Sequence, residues 1–320
     1  MDANFRSAQR SLGQWVAQAR ATDAGPVLEI SATPRQSPRL IAPDVIEAGP
    51  TLAARAVPGG PAVGFAAFLD GTQRSRLLMY YGGVPVVHGT VGAVIRARRD
   101  RRMITHPTLG GPVIERAVYA PRALLPDEFW GVGEIQMIDT GQVEDGQGGV
   151  HPTAILERAI DVVQEHRERV ERVLAERWCE SESAPLWIDG GLAKSERVAA
   201  ASQAVGVVKS HRTMYVGPGG LDVVCGLGVG ERTTVFRVTS KQRTPVRSWY
   251  LRMRDATGRA PFWGLVRVEV ADDGEDPGPR ADLVSRWVLA EVAPLALPDA
   301  RWDTLVYGVR DCEEFLRAVC

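Results

Sequence analysis

The sequence has few cysteines and no pattern that would join them. Its four cysteines, Cys179, Cys225, Cys312 and Cys320, are far apart and form no Cys-x-x-Cys pair. This excludes the usual ligand spacing of a structural zinc site and argues against a disulfide scaffold. We therefore predict free thiols in a reducing compartment.

Long apolar runs are absent as well. No segment approaches the roughly 20 consecutive apolar residues that a membrane span needs. The N-terminal segment MDANFRSAQRSLGQW also lacks the uninterrupted apolar stretch of a secretory signal. We predict a cytoplasmic protein that does not bind membranes.

An excess of positive charge is the third missing feature. The chain has 38 Lys and Arg against 39 Asp and Glu, a formal net charge of -1. No overall basicity points to nucleic acid, so any DNA-binding surface has to come from local clustering of basic side chains. The hydrophobic content of 45% is that of an ordinary globular protein.

The order of predicted elements indicates the fold class. Apolar runs, turn residues and helical periodicity predict, in chain order, an apolar strand over 63–70, strands over 77–82 and 84–95 joined by a Gly82-Gly83 hairpin, a helix from Pro152 to about Trp178, a strand over 186–189, a helix over 193–204 and a strand over 205–208. Further strands near 222–238, 247–253 and 262–270 and helices over 281–292 and 311–319 follow.

This order is typical of an α/β fold with a ribonuclease-H-like mixed β-sheet flanked by helices, to which an N-terminal helical arm and extra C-terminal strands are added. We assign residues 1–62 to an N-terminal helix, over 4–20, and an irregular arm. Residues 63–320 form the main domain, with the ribonuclease-H-like core at about 63–292. In this arrangement the first strand lies beside the strand that follows the long helix.

Two of the predicted strands end in Asp-Gly. Asp70 and Asp189 each close an apolar strand, and a single such Asp-Gly is also ordinary turn chemistry. If the two strands are neighbours, however, their carboxylates converge at one edge of the sheet and repel each other unless a cation lies between them. Oxygen ligands suit Mg²⁺ or Mn²⁺, and two such ions about 4 Å apart can drive phosphodiester hydrolysis.

A third acid is expected from the long helix. At about 100 degrees per residue, Glu171 lies close to the sheet-facing stripe next to Val170, and its height on the helix matches the end of the strand that carries Asp189. Glu157 is the alternative third ligand. A solvent-exposed helix face is the simpler reading for either glutamate.

Several short blocks resemble a known family. The segments FLDGTQRS at 68–75, WIDGGLAKS at 187–195 and GVVKSHRTMYV at 206–216 are similar, in this order, to the recurring blocks of the NurA nucleases, and SWYLRM at 248–253 is similar to a later block. The resemblance implies a ribonuclease-H-like fold and manganese-dependent nuclease activity on DNA ends and single strands. It further implies a homodimer and a hexameric HerA-type ATPase as partner, in DNA repair or in phage defence.

The resemblance also suggests roles for individual residues. Asp70 and Asp189 match the family's acids, Glu171 matches the helical acid, and Lys209 matches the lysine of the third block. Where family members carry a Tyr and an Ala-His pair near the C-terminus, this chain reads WDTLVYGVR at 302–310 and has no histidine. We take Asp282, at the start of the late helix, as the substitute metal ligand.

Basic side chains near these blocks are candidates for nucleic-acid contacts. Lys209 and His211 follow a strand and are placed to contact phosphate, and the remaining candidates are Arg74, Arg76 and Arg252. Ordinary surface charge is an equally good explanation for all of them.

Two other functions compete with the nuclease. Actin-like and sugar-kinase ATPases use a related sheet, but their phosphate loop reads Asp-x-Gly-Thr, whereas Gly71 directly follows Asp70 here. A degenerate ribonuclease-H-like module that binds nucleic acid or holds a partner without cleaving is the second alternative, since the C-terminal histidine is missing. DNA cleavage that requires metal separates the nuclease from both.

Overall fold

The protein is described from a computed structural model. The structure describes residues 37–99, 102–106, 111–131, 135–141, 151–240, 243–292 and 307–320, together with residues 7–8, 12, 22–23 and 29–30. The predicted N-terminal helix over 4–20 lies largely outside the described residues.

β-Strands are the most frequent elements of the described chain. In chain order they are β1 (Thr22–Asp23), β2 (Glu29–Ile30), β3 (Arg39–Ile41), β4 (Asp44–Val45), β5 (Ala54–Ala56), β6 (Ala67–Tyr81), β7 (Val84–Arg99), β8 (Arg102–Thr105), β9 (Val113–Ala120), β10 (Met137–Asp139), β11 (Leu186–Asp189), β12 (Ala204–Val208), β13 (Thr213–Tyr215), β14 (Glu231–Thr233), β15 (Phe236–Ser240), β16 (Arg243–Arg252) and β17 (Leu265–Ala271).

Helices connect and cover these strands. They are α1 (Pro152–Ser181), α2 (Glu196–Ala200), α3 (Gly220–Gly226), α4 (Pro277–Ala290) and α5 (Tyr307–Val319), with short 3-10 helices at Arg122–Leu124 and Asp127–Gly131. The long helix begins as predicted, because His151 Nδ1 accepts a hydrogen bond from the Thr153 amide and Pro152 occupies the first turn. None of the described helices is both long enough and apolar enough to cross a membrane.

One large mixed sheet organises the fold. Its main path runs β10-β9-β7-β6-β11-β12-β17-β16-β14-β5. Strands β6, β7 and β9 pair antiparallel, β11 pairs parallel with both β6 and β12, and β17 returns antiparallel to β12. The predicted mixed α/β architecture is therefore confirmed, and the strands that carry Asp70 and Asp189 are neighbours as predicted.

The helices cover opposite faces of this sheet. On one face, α1 packs on Leu69 and Ile188. On the other face, α4 and α5 pack on Phe68 and Trp187. Alternation along the strands produces both apolar layers, since neighbouring residues of one strand point to opposite faces.

The hairpin differs from the prediction in one respect. Gly82 and Gly83 do form the turn, with positive φ values of 53° and 88°. The predicted strands at 63–70 and 77–82, however, are parts of the single 15-residue strand β6. Its middle section, Gly71–Arg76, pairs with β7 along its whole length, so long-range pairing keeps polar residues extended there.

Part of the segment predicted as an irregular arm contributes strands. Strand β5 pairs with β14, β4 with β15, and β3 with β13. An ion pair anchors this segment, since Glu47 binds the guanidinium of Arg232 at 2.7 Å and both side chains are buried. Each of these partners lies more than 150 positions away in the sequence, which is why local patterns do not reveal the pairing.

The C-terminal half holds two further differences. Residues 220–226, expected as part of a strand, form the short helix α3, and the helix predicted over 193–204 is limited to α2. Ser195 caps α2, accepting a hydrogen bond from the Val198 amide. Helix α4 begins earlier than predicted because Asp276 caps it and Pro277 occupies its first turn.

Candidate active site on two neighbouring parallel strands

Asp70 and Asp189 lie side by side in the sheet. The parallel register pairs Ile188 with Leu69, so the next residue on each strand, Asp189 and Asp70, reaches the same level. Strand β11 ends at Asp189, and Gly190 follows with a φ of 142°. Because that conformation is rare for residues with a side chain, glycine allows the chain to turn away directly after the acid.

The Asp70 carboxylate is in an unfavourable position for a lone anion. Burial raises the pKa of Asp70 well above its usual value, and repulsion by Asp189 and Glu171 raises it further. Lys209 and the Gly71 amide, which donates to Asp70 Oδ1 at 2.8 Å, act in the opposite direction. Three carboxylates therefore influence one another at this point of the sheet.

Lys209 supplies positive charge beside Asp189. It directly follows β12, and its Nζ donates to Asp189 Oδ2 at 2.9 Å. Both side chains are about one-fifth exposed, so the pair lies at the rim of the site and not in the core. The predicted neighbourhood of Asp70, Asp189 and Lys209 is what the structure has.

Glu171 reaches the site from helix α1. A Cβ atom added to Gly71 would lie 2.8 Å from both Cγ and Cδ of Glu171, so this glutamate lies directly over the residue that follows Asp70. Glycine at position 71 leaves the space that the Glu171 side chain fills. Glu171, the first choice from helical geometry, is thus the acid of α1 that lies over β6 at Gly71, next to Asp70 in the chain.

The charge of Glu171 is also perturbed. Burial raises the pKa of Glu171 to about 7, although Arg167 binds its carboxylate and favours the charged form. Arg167 additionally donates to Gln73 on β6 at 3.0 Å. Arg167 therefore links the helix to the strand and fixes the position of Glu171, a role that the sequence pattern did not indicate.

Of the three candidate acids, Asp189 and Glu171 are each paired with a cation. Within the described residues, no three His, Cys, Asp or Glu side chains converge on a single point as the ligands of one ion do. Lys209 holds Asp189 and Arg167 holds Glu171 in this arrangement. An ion bound between the carboxylates requires rotation of these side chains.

No model of a known protein family matches the chain, and a comparison with curated proteins found no match either. The resemblance to NurA nucleases therefore stays a prediction that rests on the short blocks themselves. The function has to be argued from the geometry of the site.

Asp282 lies elsewhere, which corrects its assignment as a metal ligand. Its carboxylate accepts from Arg232 Nε at 2.6 Å, in the cluster that also contains Glu47. Strand β14, which carries Arg232, is five strands away from β6, or roughly 24 Å along the sheet. Asp282 therefore balances a buried arginine, and local sequence could not show this because Arg232 is far away in the chain.

Arg252 is a second correction. This predicted nucleic-acid contact is fully buried, and its guanidinium donates to the carbonyl groups of Leu227, Cys225, Pro261 and Trp263. Burial lowers the pKa of Arg252, although the backbone oxygens satisfy its donors. It organises loops and does not face solvent, because a charged side chain is buried only where its donors are satisfied.

The remaining predicted contacts are closer to the site. Alternation places Arg74 and Arg76 on the same face of β6 as Asp70, and Arg74 is exposed. His211, two residues after Lys209, has Nε2 3.1 Å from the Leu265 carbonyl oxygen. Since a carbonyl only accepts, this nitrogen carries the proton.

Glu269 is a residue that sequence analysis missed. It lies on β17, is almost fully buried, accepts from the Leu192 amide at 2.7 Å and is paired with Arg267 at 2.5 Å. It thereby fixes the turn that follows Asp189. A glutamate within the apolar run of β17 indicates that its carboxylate has a buried partner. The sequence does not show which segment of the chain provides that partner.

Helix α5 borders the site from the other face. The Cys312 thiol is buried, and its pKa is raised well above the usual value by burial and then by Asp70 and Asp311. Cys312 Sγ lies 3.3 Å from the Phe68 carbonyl oxygen. The first half of helix α5 thus packs next to Asp70, whereas the side chain of Tyr307 lies outside the described residues.

Gly71→Ala tests the position of Glu171. The added methyl group occupies the space of the Glu171 side chain and displaces its carboxylate, and a shift of about 1 Å in a catalytic group costs up to about 100-fold in rate. We expect a loss of this order in metal-dependent cleavage, measured as initial rates. Gly226→Ala is the matched control, because a Cβ there meets nothing within 4 Å. Equal rates for Gly71→Ala and the wild type would contradict the placement of Glu171.

Proposed function

We propose that the protein is a divalent-metal-dependent nuclease that hydrolyses phosphodiester bonds of DNA at ends or in single strands. The pairing of β6 with β11 carries this proposal, because it sets Asp70 beside Asp189, the last residue of β11. Glu171 approaches from the covering helix α1 over Gly71, and its charge contributes to the raised pKa of Asp70. Three acids from three separated segments are brought together, where burial and mutual repulsion raise the pKa of Asp70.

Mn²⁺ or Mg²⁺ fits this donor set. Carboxylate oxygens are the ligands that both ions prefer, and a cation between Asp70 and Asp189 would relieve the repulsion that raises the pKa of Asp70. Asp70, Asp189 and Glu171 would hold two such ions. When bound, the ions supply an activated water and stabilise the leaving oxygen of the phosphodiester.

The chain's own cations suit a phosphate substrate. The Lys209 ammonium and the Arg167 guanidinium lie at the rim of the acid cluster, each paired with one of its carboxylates. Metal binding at these carboxylates leaves both cations available to a phosphate oxygen, where positive charge stabilises the transition state. Arg74, exposed on the same strand as Asp70, is placed to contact the DNA backbone.

A ribonuclease-H-like core is part of the proposal. The order β9-β7-β6-β11-β12, with three antiparallel strands followed by two parallel ones and helix α1 between β10 and β11, supports it. The resemblance to NurA nucleases adds a homodimer and a HerA-type ATPase that feeds DNA to the site. These partners are proposals from the family alone.

A cleavage assay tests the function directly. We expect the purified full chain to degrade linear single- or double-stranded DNA in Mn²⁺ or Mg²⁺ and to leave it intact in EDTA, as followed on denaturing gels. A parallel reaction contains an added HerA-type ATPase. DNA binding without cleavage in both reactions would contradict the nuclease and favour the non-catalytic module, whereas metal-dependent ATP hydrolysis without cleavage would favour the actin-like alternative.

A further inference from the structure

An exposed aromatic ring lies at the same edge of the sheet as the acids. Within the part of the chain that the structure describes, Phe262 is the only exposed aromatic residue, with 40% of its surface accessible. Aromatic side chains are usually buried because they carry a large apolar surface. A ring left exposed beside a candidate nuclease site therefore suggests a ligand with a flat apolar face.

The loop that carries Phe262 is held firmly from below. The buried Arg252 guanidinium donates to the carbonyl groups of Pro261 and Trp263, the residues on either side of Phe262. The Met253 amide donates to the Gly264 carbonyl at 2.7 Å and closes the base of the loop. The ring is thus presented by a fixed backbone, so that binding does not have to order the loop first.

The His211 imidazole packs against the Phe262 ring. The two ring centroids are 5.1 Å apart with an interplanar angle of 34°, and the Tyr250 ring lies 6.4 Å further on. Burial lowers the pKa of His211, so the imidazole is neutral at pH 7. A neutral, hydrogen-bonded ring is a stacking partner and not a source of charge.

The position relative to the acids suits one continuous substrate. Phe262 lies three residues before β17, His211 follows Lys209 by two residues, and β12 and β17 are neighbours. Strand β17 is two strands from β11, roughly 10 Å along the sheet from the end that carries Asp189. A base over Phe262 therefore belongs to a nucleotide near the one whose phosphate reaches the acids.

Positive charge accompanies the ring. Arg259 lies over the Trp263 ring at 4.7 Å and is itself exposed. Lys209 lies on the path from the ring to Asp189. Cations alternating with aromatic rings are typical of surfaces that bind single-stranded nucleic acid, where the charges follow the backbone and the rings stack on bases.

We propose that Phe262, supported by His211 and held by Arg252, stacks on an unpaired base of single-stranded DNA next to the acid cluster. The inference rests on the proposed nuclease function for the choice of DNA as ligand. It adds a substrate preference, because a ring at this position takes a base only where the strand is unpaired. Arg252 does not touch the DNA but holds the loop that presents Phe262.

Binding of two oligonucleotides by the full chain in EDTA tests the stacking. The probes are a labelled oligothymidylate and an abasic oligonucleotide of equal length, measured by fluorescence anisotropy. We expect Phe262→Ala to raise the Kd for oligothymidylate by roughly 5- to 100-fold, the contribution of one stacked base, and to leave the Kd for the abasic strand unchanged. Phe262→Trp should retain tight binding, and Leu124→Ala, which alters an equally exposed side chain (41%), is the control.

The outcomes separate this inference from the nuclease proposal. An unchanged Kd for Phe262→Ala, an equal loss on the abasic strand, or a wild type that binds neither probe would overturn the stacking. A wild type that cleaves in Mn²⁺ while Phe262→Ala binds normally would contradict the stacking alone. Binding that depends on Phe262 without any cleavage by the wild type would contradict the nuclease alone.

Discussion

Asp70→Asn and Asp189→Asn should each reduce metal-dependent DNA cleavage by roughly a thousandfold or more. Each change removes a carboxylate at the point where the two strands meet, and with it several kcal/mol of transition-state stabilisation by bound metal. Initial rates on a labelled linear strand in Mn²⁺ measure the effect. Asp282→Asn is the comparison, because Asp282 is bound to Arg232 and should leave the cleavage rate nearly unchanged once the variant is shown to be folded.

The expected loss of cleavage in Asp70→Asn should not come from unfolding, and stability measurements can show this. Burial and the charge of Asp189 raise the pKa of Asp70 above its ordinary 3.8. An acid with a raised pKa in the folded state binds its proton more tightly there, so it destabilises the fold increasingly as pH rises above 3.8. Asn carries no charge, so in EDTA at pH 8 Asp70→Asn should unfold at the same or higher temperature than the wild type.

The same measurement at low pH completes the control. Near pH 4 the Asp70 carboxyl keeps its proton in the folded wild type, so the stability difference between wild type and Asp70→Asn should shrink. Wild-type cleavage rates in either Asn variant would refute the assignment of these acids. A marked drop in the unfolding temperature of Asp70→Asn at pH 8 would contradict the raised pKa of Asp70, because it would mean that the charged carboxylate stabilises the fold.

Glu171→Gln should lower the cleavage rate by orders of magnitude, whereas Glu157→Gln should change it little. Both residues lie on helix α1, so the pair keeps helix propensity and charge change equal. Only Glu171 lies over Gly71, the residue of β6 that follows Asp70. The two rates are compared at the same Mn²⁺ concentration, and a larger loss in Glu157→Gln would move the third acid to the N-terminal end of the helix.

The metal dependence of the Glu171 variant sharpens this result. If Glu171 holds an ion, the variant should need a higher Mn²⁺ concentration for half-maximal rate, and excess Mn²⁺ should recover part of the activity. If Glu171 only positions Arg167, the Mn²⁺ requirement should match that of the wild type. A titration of rate against Mn²⁺ therefore distinguishes a ligand from a structural partner.

Much of the sheet and one helix were readable from local patterns. The Gly82-Gly83 turn, the long helix that begins at Pro152 and the strand that ends in Asp189 were predicted, because turn residues, caps and apolar runs act over a few residues. The strand predicted to end at Asp70 continues to Tyr81. The position of Glu171 followed from helical geometry once the helix was known. The role of these residues as metal ligands stays a prediction.

Charged residues were predictable only where a local rule applied. Asp282 was predicted to begin a helix and Arg252 lies in a block that resembles a nuclease family, yet Asp282 lies within α4 and binds Arg232, and Arg252 binds the backbone of neighbouring loops. Whether a charge faces solvent, a ligand or another buried charge depends on contacts between segments far apart in the chain. Burial makes such pairing obligatory but does not choose the partner.

The sequence by itself determined the segments that carry Asp70 and Asp189, the helix that carries Glu171 and the order of these elements, since each depends on short-range propensity and periodicity. The tertiary structure decided that β6 and β11 pair, that Lys209 and Arg167 balance the acids and that Phe262 is presented at the edge. The pairing of β6 with β11 joins residues more than a hundred positions apart, where the gain from hydrogen bonds and burial offsets the entropy of closing long loops.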